Sequence, residues 1–286
     1  MQLADGDVTT REVLGWQGVH LFHARGSSCS QKVRIFLRLK GIPWEPHEVD
    51  LKAEENYGPW YLGINPRGLV PCLVHDGAVH IESNDIIEYL EERYPDPPLI
   101  PADSRQSVHQ MLRMEDDLHT DLRVLTFRYV IPTSPGRLKS SRALDNLRRS
   151  EGTVGGQPDS HKAEEIRFWN AANGTGISDE QVAASAARFR AALGGLDEAL
   201  GQSEFILGES LTILDIAWYV YATRLTAAGY PLHRVHQSVG TWFDKLDQRA
   251  EFRDEVRMPA ALREAGARIQ QAQRDEGRSL SQLGAL

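Results

Sequence analysis

Three short segments combine residue types that could bind and activate a small ligand. The first is the run Ser27-Ser28-Cys29-Ser30, between a predicted strand over 19–23 and a predicted amphipathic helix over 30–40. Its hydroxyls, its thiol and its backbone amides would surround a helix N-terminus, where the partial positive charge favours a thiolate. Alone, such a run is more often a simple helix cap, so the other two segments decide between the structural and the chemical interpretation.

The second and third segments supply groups suited to a peptide-like ligand. Val70-Pro71 opens a short apolar run, and a proline ahead of a strand cannot donate to the ladder, so it would present its neighbour's backbone to a ligand. Glu82-Ser83 stand at the start of a helix predicted over 84–93. A carboxylate suits an ammonium group, and a helix N-terminus suits a carboxylate. The γ-glutamyl end of glutathione carries both an ammonium and a carboxylate, so it requires both of these partners.

On these three motifs, in this order and spacing, residues 18 to about 270 resemble the cytosolic glutathione transferases. The Ser-Ser-Cys run is most similar to that of the zeta class. The resemblance implies a thioredoxin-like N-terminal domain, a cis peptide between the valine and proline of the second motif, and a serine near the first helix that stabilises the glutathione thiolate. By position Ser27 is the expected thiolate partner, and Ser28 and Cys29 stay open as alternatives.

The resemblance also implies how glutathione is held. The backbone of Val70 would pair with the cysteinyl backbone of glutathione, and Glu82 and Ser83 would hold its γ-glutamate. Together with Pro71 and Asn56, these residues are the candidate glutathione-binding set.

A small hydrophobic electrophile is the expected second substrate. Its predicted pocket is formed by the loop that starts at His23 and by one face of the first long helix, represented by Met114, Leu118 and Leu122. The three helical residues are also plausible core residues, because they are apolar and lie at helical spacing.

The order of predicted elements gives an α/β domain followed by an all-α domain. Residues 18–95 read as βαβ followed by ββα, with strands over 19–23, 44–51, 70–74 and 79–81. The first two strands should be parallel, because a helix joins them, and Asp76-Gly77 predicts a hairpin between the last two. A proline-rich link over 94–98 ends this thioredoxin-like domain, and residues 102–270 are predicted as the all-helical domain.

Long helices are predicted in the second domain over 104–129 and 178–200, from the spacing of their apolar residues. Ser178 with Gln181 predicts a capping box at the start of the second helix. Thr212 and Asp215 predict another, which gives Asp215 a structural and not a catalytic role.

Residues 132–177 are predicted as an insertion in this helical domain. The segment is rich in Ser, Gly, Arg and Asn, and residues 162–172 have enough helical character to be ordered. In its length the domain resembles those of bacterial glutathione transferases that cleave β-aryl ethers, and of related fungal forms.

Composition limits the function classes. A formal net charge of −8 disfavours nucleic acid, because phosphate would be repelled without a strong basic patch. No window of about 18 apolar residues and no secretory leader is evident, so we expect a cytoplasmic protein without a membrane partner. Cys29 and Cys72 are too few for a disulfide framework. His233 and His236 lack a carboxylate ligand pattern, so no metal ion is expected.

The resulting hypothesis is a glutathione S-transferase that activates the thiol of glutathione for attack on a hydrophobic electrophile, for which an aryl ether is one candidate. We expect a homodimer that acts in detoxification. Two alternatives stay open. One is a glutathione-dependent isomerase of the maleylacetoacetate type, and the other is a glutathione-transferase-like binding protein without turnover.

Overall fold

The computed structural model describes residues 1–132 and 138–286, and the chain divides into two compact units. The first unit is Met1–Tyr94 with Ser134–Gly176, and the second is Pro95–Thr133 with Ile177–Leu286. Residues 133–137 of the predicted insertion lie outside the described residues.

The described strands are β1 Val19–His23, β2 Glu45–Glu48, β3 Cys72–His75 and β4 Ala78–Ile81. The described α-helices, in chain order, are α1 Ser28–Lys40, α2 Pro59–Leu62, α3 Ser83–Arg93, α4 Arg105–Asp116, α5 His119–Tyr129, α6 Ser141–Arg149, α7 Ser160–Gly174, α8 Asp179–Leu200, α9 Ile213–Ala227, α10 Leu232–Val235, α11 Gln237–Asp247, α12 Ala250–Val256, α13 Ala260–Asp275 and α14 Leu280–Leu283. Short 3₁₀ turns are at Asp5–Asp7, Arg11–Gly15 and Glu55–Tyr57.

The first unit is built on a four-stranded mixed sheet with the order β2-β1-β3-β4. β1 pairs with β2 in parallel, and β3 pairs antiparallel with both β1 and β4. α1 joins the parallel pair, and the β3–β4 hairpin turns at Asp76-Gly77. A Cβ at Gly77, which has φ +82°, would meet the Leu14 carbonyl oxygen at 2.3 Å, so this turn needs glycine. The predicted thioredoxin-like order of elements is confirmed.

The largest differences from the predicted strand boundaries are at the end of β2 and the start of β3. β2 ends at Glu48 and not at residue 51, because the Asp50 carboxylate accepts hydrogen bonds from the amides of Lys52 and Ala53 and closes a turn. β3 begins after Pro71, which has no N–H to donate to the ladder.

Apolar side chains from the N-terminal residues, from the sheet and from the turns around α2 form one core of the first unit. Its buried members are Leu3, Val8, Val13, Phe22, Val49, Tyr61, Ile64, Cys72, Val74, Val79 and Ile81. Cys72 is a small buried member of this core, and burial raises the pKa of its thiol. α1 and α3 contact each other and are joined by a buried ion pair, with Lys40 Nζ 2.6 Å from Glu91 Oε2.

The described part of the predicted insertion belongs to this first unit. α6 and α7 contact each other, and Leu147 of α6 shares a small core with Tyr57 and Leu62. Glu165 of α7 accepts hydrogen bonds from Tyr57 Oη at 3.1 Å and from Trp169 Nε1 at 2.5 Å. The segment is predicted within the helical domain, whereas these contacts group it with the sheet. Its predicted helix is present as α7.

The described residues of the second unit form helices. The helix predicted over 104–129 is divided into α4 and α5, because the Leu118 amide bonds to the Glu115 carbonyl at 3.0 Å, three residues back, and tightens the chain into a turn. The capping box predicted for Ser178 and Gln181 is confirmed at the start of α8. Among the described residues, no helix is long and apolar enough to cross a membrane.

Asp215 fixes the start of α9 through a buried network. Its carboxylate accepts hydrogen bonds from the Thr212 amide at 2.8 Å, from the Ile206 amide at 3.1 Å and from Trp242 Nε1 at 2.9 Å. Burial raises the pKa of this carboxyl, and these bonds oppose the rise without cancelling it. The predicted Thr212–Asp215 capping box is confirmed, and the hydrogen bonds of Asp215 extend beyond it to Ile206 and Trp242.

We predict that Asp215→Ala lowers the free energy of unfolding by about 3 kcal/mol or more, because four buried donors, the three above and the Thr212 hydroxyl, lose their acceptor and each costs about 1–3 kcal/mol. Urea denaturation measures the change. The matched control is Ser178→Ala, which removes the exposed cap of α8 and should cost only about 1 kcal/mol. Equal losses in the two variants would contradict the network.

Candidate functional site

The first predicted motif forms the start of α1. Ser27 is the N-cap residue, and its Oγ accepts a hydrogen bond from the Ser30 amide at 3.2 Å. The Ser27 hydroxyl also donates to the Val70 carbonyl oxygen at 3.4 Å. Ser28 and Cys29 lie in the first turn, and Cys29 is partly exposed and forms no disulfide. The structure therefore brings the first and second motifs together across 43 residues of sequence.

The second motif has the predicted backbone. The Val70-Pro71 peptide is cis, and so is Asp96-Pro97. The loop ahead of it is held by Asn56, whose Nδ2 donates to the Gly68 carbonyl at 2.6 Å. Gly68 has φ +64°, and a Cβ there would meet the Tyr57 ring at 2.9 Å, so the loop needs glycine. Asn56, predicted as a glutathione ligand, is buried and supports this loop.

The third motif forms the start of α3. Glu82 is the N-cap residue and has φ +66°, a conformation that residues with a side chain rarely adopt. Such strain persists only where the surrounding structure enforces it, and it clusters at functional sites. Ser83 is the first residue of the helix and is buried, while the Glu82 side chain keeps 34% of its exposure. A partly exposed carboxylate therefore lies beside a helix N-terminus, as the motif predicts.

Two residues that the sequence analysis missed join this third motif. The Arg67 guanidinium donates from Nη1 to Glu82 Oε1 at 2.6 Å. Its Nε and Nη2 donate to the two carboxylate oxygens of Asp159, at 2.5 Å and 3.2 Å. The side chains of Arg67 and Asp159 are each 11% exposed. We call these three side chains, Arg67, Glu82 and Asp159, the Arg67 cluster.

The pairing keeps the buried members of the Arg67 cluster charged. Burial alone would lower the pKa of Arg67, but its bonds to Asp159 and Glu82 outweigh this effect and raise it. Burial alone would raise the pKa of Asp159, but the hydrogen bond and the charge of Arg67, together with the contributions of His161, outweigh this effect and lower it. Asp159 also caps α7 by accepting from the His161 amide at 3.3 Å. The cap is the one local signal for Asp159, since its pairing with Arg67 spans 92 residues.

The four residues predicted for the electrophile pocket divide between the two units. His23 ends β1, is buried, and has Nδ1 3.4 Å from Arg34 Nη1. Leu118 and Leu122 are buried, which favours their interpretation as core residues, whereas Met114 is 63% exposed. Over the described ranges, no group of three or more His, Cys, Asp or Glu side chains is arranged to hold a metal ion.

Asp7, near the N-terminus of the chain, is a second carboxylate that binds the segment 138–176. Asp7 accepts hydrogen bonds from Thr153 Oγ1 at 2.5 Å and from the amides of Gly155 and Gly156 at 2.8 and 2.9 Å. Burial alone would raise the pKa of Asp7, but these bonds lower it. These bonds hold the glycine-rich stretch 152–156 against Asp7.

Two family models match the chain in sequence order. Residues 21–98 match the model described as glutathione S-transferase, N-terminal domain, and residues 179–266 match glutathione S-transferase, C-terminal domain. The described segment 138–176 lies between the two matches. The chain belongs to the glutathione S-transferase family, which confirms the resemblance inferred from its three motifs.

Relatives and solved structures agree with this family. The chain is 49% identical over 77 residues to a zeta-class glutathione S-transferase of Euphorbia esula, covering 27% of this chain and 34% of the relative. It is 49% identical over 83 residues to a probable maleylacetoacetate isomerase of Caenorhabditis elegans, covering 29% of this chain and 38% of the relative. The chain thus matches little more than a third of either relative.

The fold is similar to that of the beta-etherase LigF from Sphingobium sp. strain SYK-6. The TM-score is 0.68 at 22% sequence identity, with 84% of this chain and 98% of that chain covered. At this identity the likeness shows the shared fold alone.

We predict that Asp7→Asn loosens residues 153–156 and lowers the free energy of unfolding by about 2 kcal/mol at pH 7, because bonds to a charged acceptor are each worth about 1.5–3 kcal/mol. Amide hydrogen exchange at Gly155 and Gly156 should accelerate. Since folding lowers the pKa of Asp7, its contribution is fully present above about pH 4 and is lost as the pH falls through the lowered pKa.

The difference between wild type and Asp7→Asn should therefore shrink in acid. The control is Asp5→Asn, at an exposed carboxylate two residues away. A difference that is independent of pH, or one that Asp5→Asn reproduces, would show that the Asp7 charge does not hold this loop.

Proposed function

We propose that this protein is a glutathione-dependent transferase that holds glutathione as a thiolate at the start of α1. The observation that carries the proposal is the bond from Ser27 Oγ to the Val70 carbonyl, because it joins the helix start to the cis-proline segment. The same unit holds Glu82 at the start of α3. A thiolate partner, an accessible peptide backbone and an acidic group for an ammonium are together what glutathione requires.

The start of α1 favours the thiolate in two ways. Its partial positive charge stabilises an anion, and the Ser27 hydroxyl can donate to the sulfur. The present acceptor of this hydroxyl lies at 3.4 Å, which is long for an O–H···O bond, so exchange for a sulfur anion costs little. Ser28 and Cys29 lie in the same turn and are the alternative donors, through a hydroxyl, a thiol or a backbone amide.

The reaction is a nucleophilic substitution by sulfur. A C–S bond forms at the electrophilic carbon, the leaving group departs with the bonding electron pair, and the thiol proton passes to solvent. For an aryl ether the leaving group is a phenolate. The protein contributes a lowered thiol pKa and the alignment of the reacting atoms.

The binding roles follow the predicted division of the chain. Residues 18–95 hold glutathione through Val70, Pro71, Glu82 and Ser83, with Asn56 supporting the loop. The hydrophobic wall for the electrophile is proposed on residues 102–270, outside the inserted segment 132–177. Among the proposed wall residues Met114 has the most accessible side chain, which supports its contact with an apolar substrate.

Membership of the family supports two further parts of the proposal, a homodimer and a role in detoxification. A cytoplasmic location is supported by Cys29, because a thiol at a helix start is useful only where it stays reduced.

The second candidate is glutathione-dependent isomerisation. The 49% identity over 83 residues to a probable maleylacetoacetate isomerase favours it. In that chemistry glutathione adds to the substrate and leaves again, so it is not consumed.

Product analysis with glutathione separates these functions. A β-aryl ether and maleylacetoacetate are supplied in parallel, and glutathione consumption, thioether and free phenol are measured. Transferase activity predicts one glutathione consumed for each phenol released. An isomerised acid with glutathione conserved would favour the second candidate, and binding without turnover of either substrate would leave the binding-protein alternative.

We predict that Ser27→Ala raises the thiol pKa of bound glutathione by roughly one to two units, because a charge-assisted hydrogen bond to the sulfur is worth about 1.5–3 kcal/mol. Thiolate absorbance against pH measures the shift. Cys29→Ala should do less, because alanine keeps the backbone amide.

Ser140→Ala is the matched control for loss of a helix cap. Ser140 caps α6 by accepting from the Ala143 amide at 3.1 Å, as Ser27 caps α1. It should leave the titration unchanged. An unshifted titration in Ser27→Ala with a shifted one in Cys29→Ala would move the thiolate role to the cysteine.

A further inference from the structure

The Arg67 cluster links the segment 138–176 to the proposed γ-glutamyl end of the glutathione site. Arg67 lies in the loop that leads into Val70-Pro71, Glu82 begins α3, and Asp159 begins α7. We propose that Asp159 is a positioning residue for glutathione, acting through Arg67 to orient Glu82 and to make the subsite selective for an ammonium group. This inference rests on the proposed function.

In the Arg67 cluster, Asp159 fixes Arg67, and Arg67 in turn fixes Glu82. Asp159 is fixed as the cap of α7, and its two oxygens hold one edge of the Arg67 guanidinium. A bidentate pair fixes the plane of the guanidinium as well as its place. The third bonded nitrogen, Nη1, then fixes Glu82 Oε1 at 2.6 Å. The orientation of the Glu82 carboxylate is therefore set from a residue 77 positions later in the chain.

The loop that contains Arg67 is held by hydrogen bonds of the Asn65 side chain. The Arg67 amide donates to Asn65 Oδ1 at 3.0 Å, and Asn65 Nδ2 donates to the Leu69 carbonyl at 2.8 Å. These bonds restrict the movement of the Arg67 backbone, so the guanidinium keeps its position beside Glu82. A ligand that binds Glu82 meets a preorganised carboxylate.

Charge supplies the selectivity. Glu82 and Arg67 alone would form a neutral pair with little net attraction for a cation. Asp159 adds a second carboxylate, so that the cluster carries a net charge of −1. With Arg67 and Asp159 each 11% exposed and Glu82 34% exposed, solvent screens this charge only in part. One ammonium group neutralises the cluster, and the adjacent start of α3 suits the carboxylate on the same carbon.

The test compares two ligands on one variant. Asp159→Asn removes the charge but keeps a side chain that caps helices as well as aspartate does. The probes are glutathione and a glutathione in which hydrogen replaces the γ-glutamyl α-amino group, with both Kd values measured by calorimetry. The control is Asp145→Asn, in the same segment, which breaks a solvent-accessible pair with Arg148.

We expect Asp159→Asn to weaken glutathione about tenfold, or roughly 1.4 kcal/mol. The affinity for the deaminated analogue should change less than about twofold, because that ligand lacks the group that feels the charge. In turnover the KM for glutathione should rise while kcat at saturation is kept, as for lost ground-state binding. Asp145→Asn should change neither affinity.

Equal weakening of both ligands would show that Asp159 only docks its helix, and would overturn the inference. Unchanged affinity for glutathione would overturn it as well. A wild type that binds the two ligands equally well would sink the inference together with the role of Glu82 as ammonium partner, and would leave the thiolate chemistry of the proposed function standing. A wild type that binds neither ligand would remove both. If Asp159→Asn does not fold, Asp159→Ser, which also keeps a capping side chain, decides by the same ratio of affinities.

Discussion

The pairing of the Arg67 guanidinium with two carboxylates is the interaction on which the arrangement of the proposed glutathione site depends most. The guanidinium bonds a carboxylate at the start of α3 and another at the start of α7, which are far apart in sequence. Two partly buried carboxylates so close would repel each other without the cation, and a cation left with 11% exposure would be costly without them. Loss of Arg67 would leave two carboxylates without their shared cation, and loss of either carboxylate would leave the guanidinium with one acid partner, so each side chain helps to fix the other two.

The segment 138–176 is bonded to the sheet-containing part of the first unit at several places. Asp7 holds its loop at 153–156, Arg67 holds the cap of α7, and Glu165 bonds Tyr57 from the middle of that helix. These bonds reach the sheet unit at three separate places, and an apolar contact around Leu147 adds to them. The segment is part of the unit that carries the proposed glutathione site, and the Arg67–Asp159 pair links it to that site.

Much of the fold could be predicted because its signals are local. β1, α1 and the β3–β4 hairpin follow from apolar runs, a helix cap and an Asp-Gly turn, all readable within a few residues. The cis Val70-Pro71 peptide came from family resemblance, not from the physics of the sequence. The Arg67–Asp159 pair, and with it the place of α7, could not be predicted, because nothing near either residue indicates a partner 92 positions away. The turn between α4 and α5 was missed for a similar reason, since the apolar spacing continues across it.

The central claim is that glutathione lies between the start of α1 and the start of α3, with its sulfur at Ser27 and its ammonium at Glu82. The most direct measurement is a crystal structure of the protein with glutathione bound. We expect the sulfur within hydrogen-bond distance of Ser27 Oγ and the cysteinyl backbone paired with Val70. The ammonium should lie on the Glu82 carboxylate, with the Arg67–Asp159 pair intact. Glutathione bound elsewhere, or with its ammonium turned away from Glu82, would contradict the central claim.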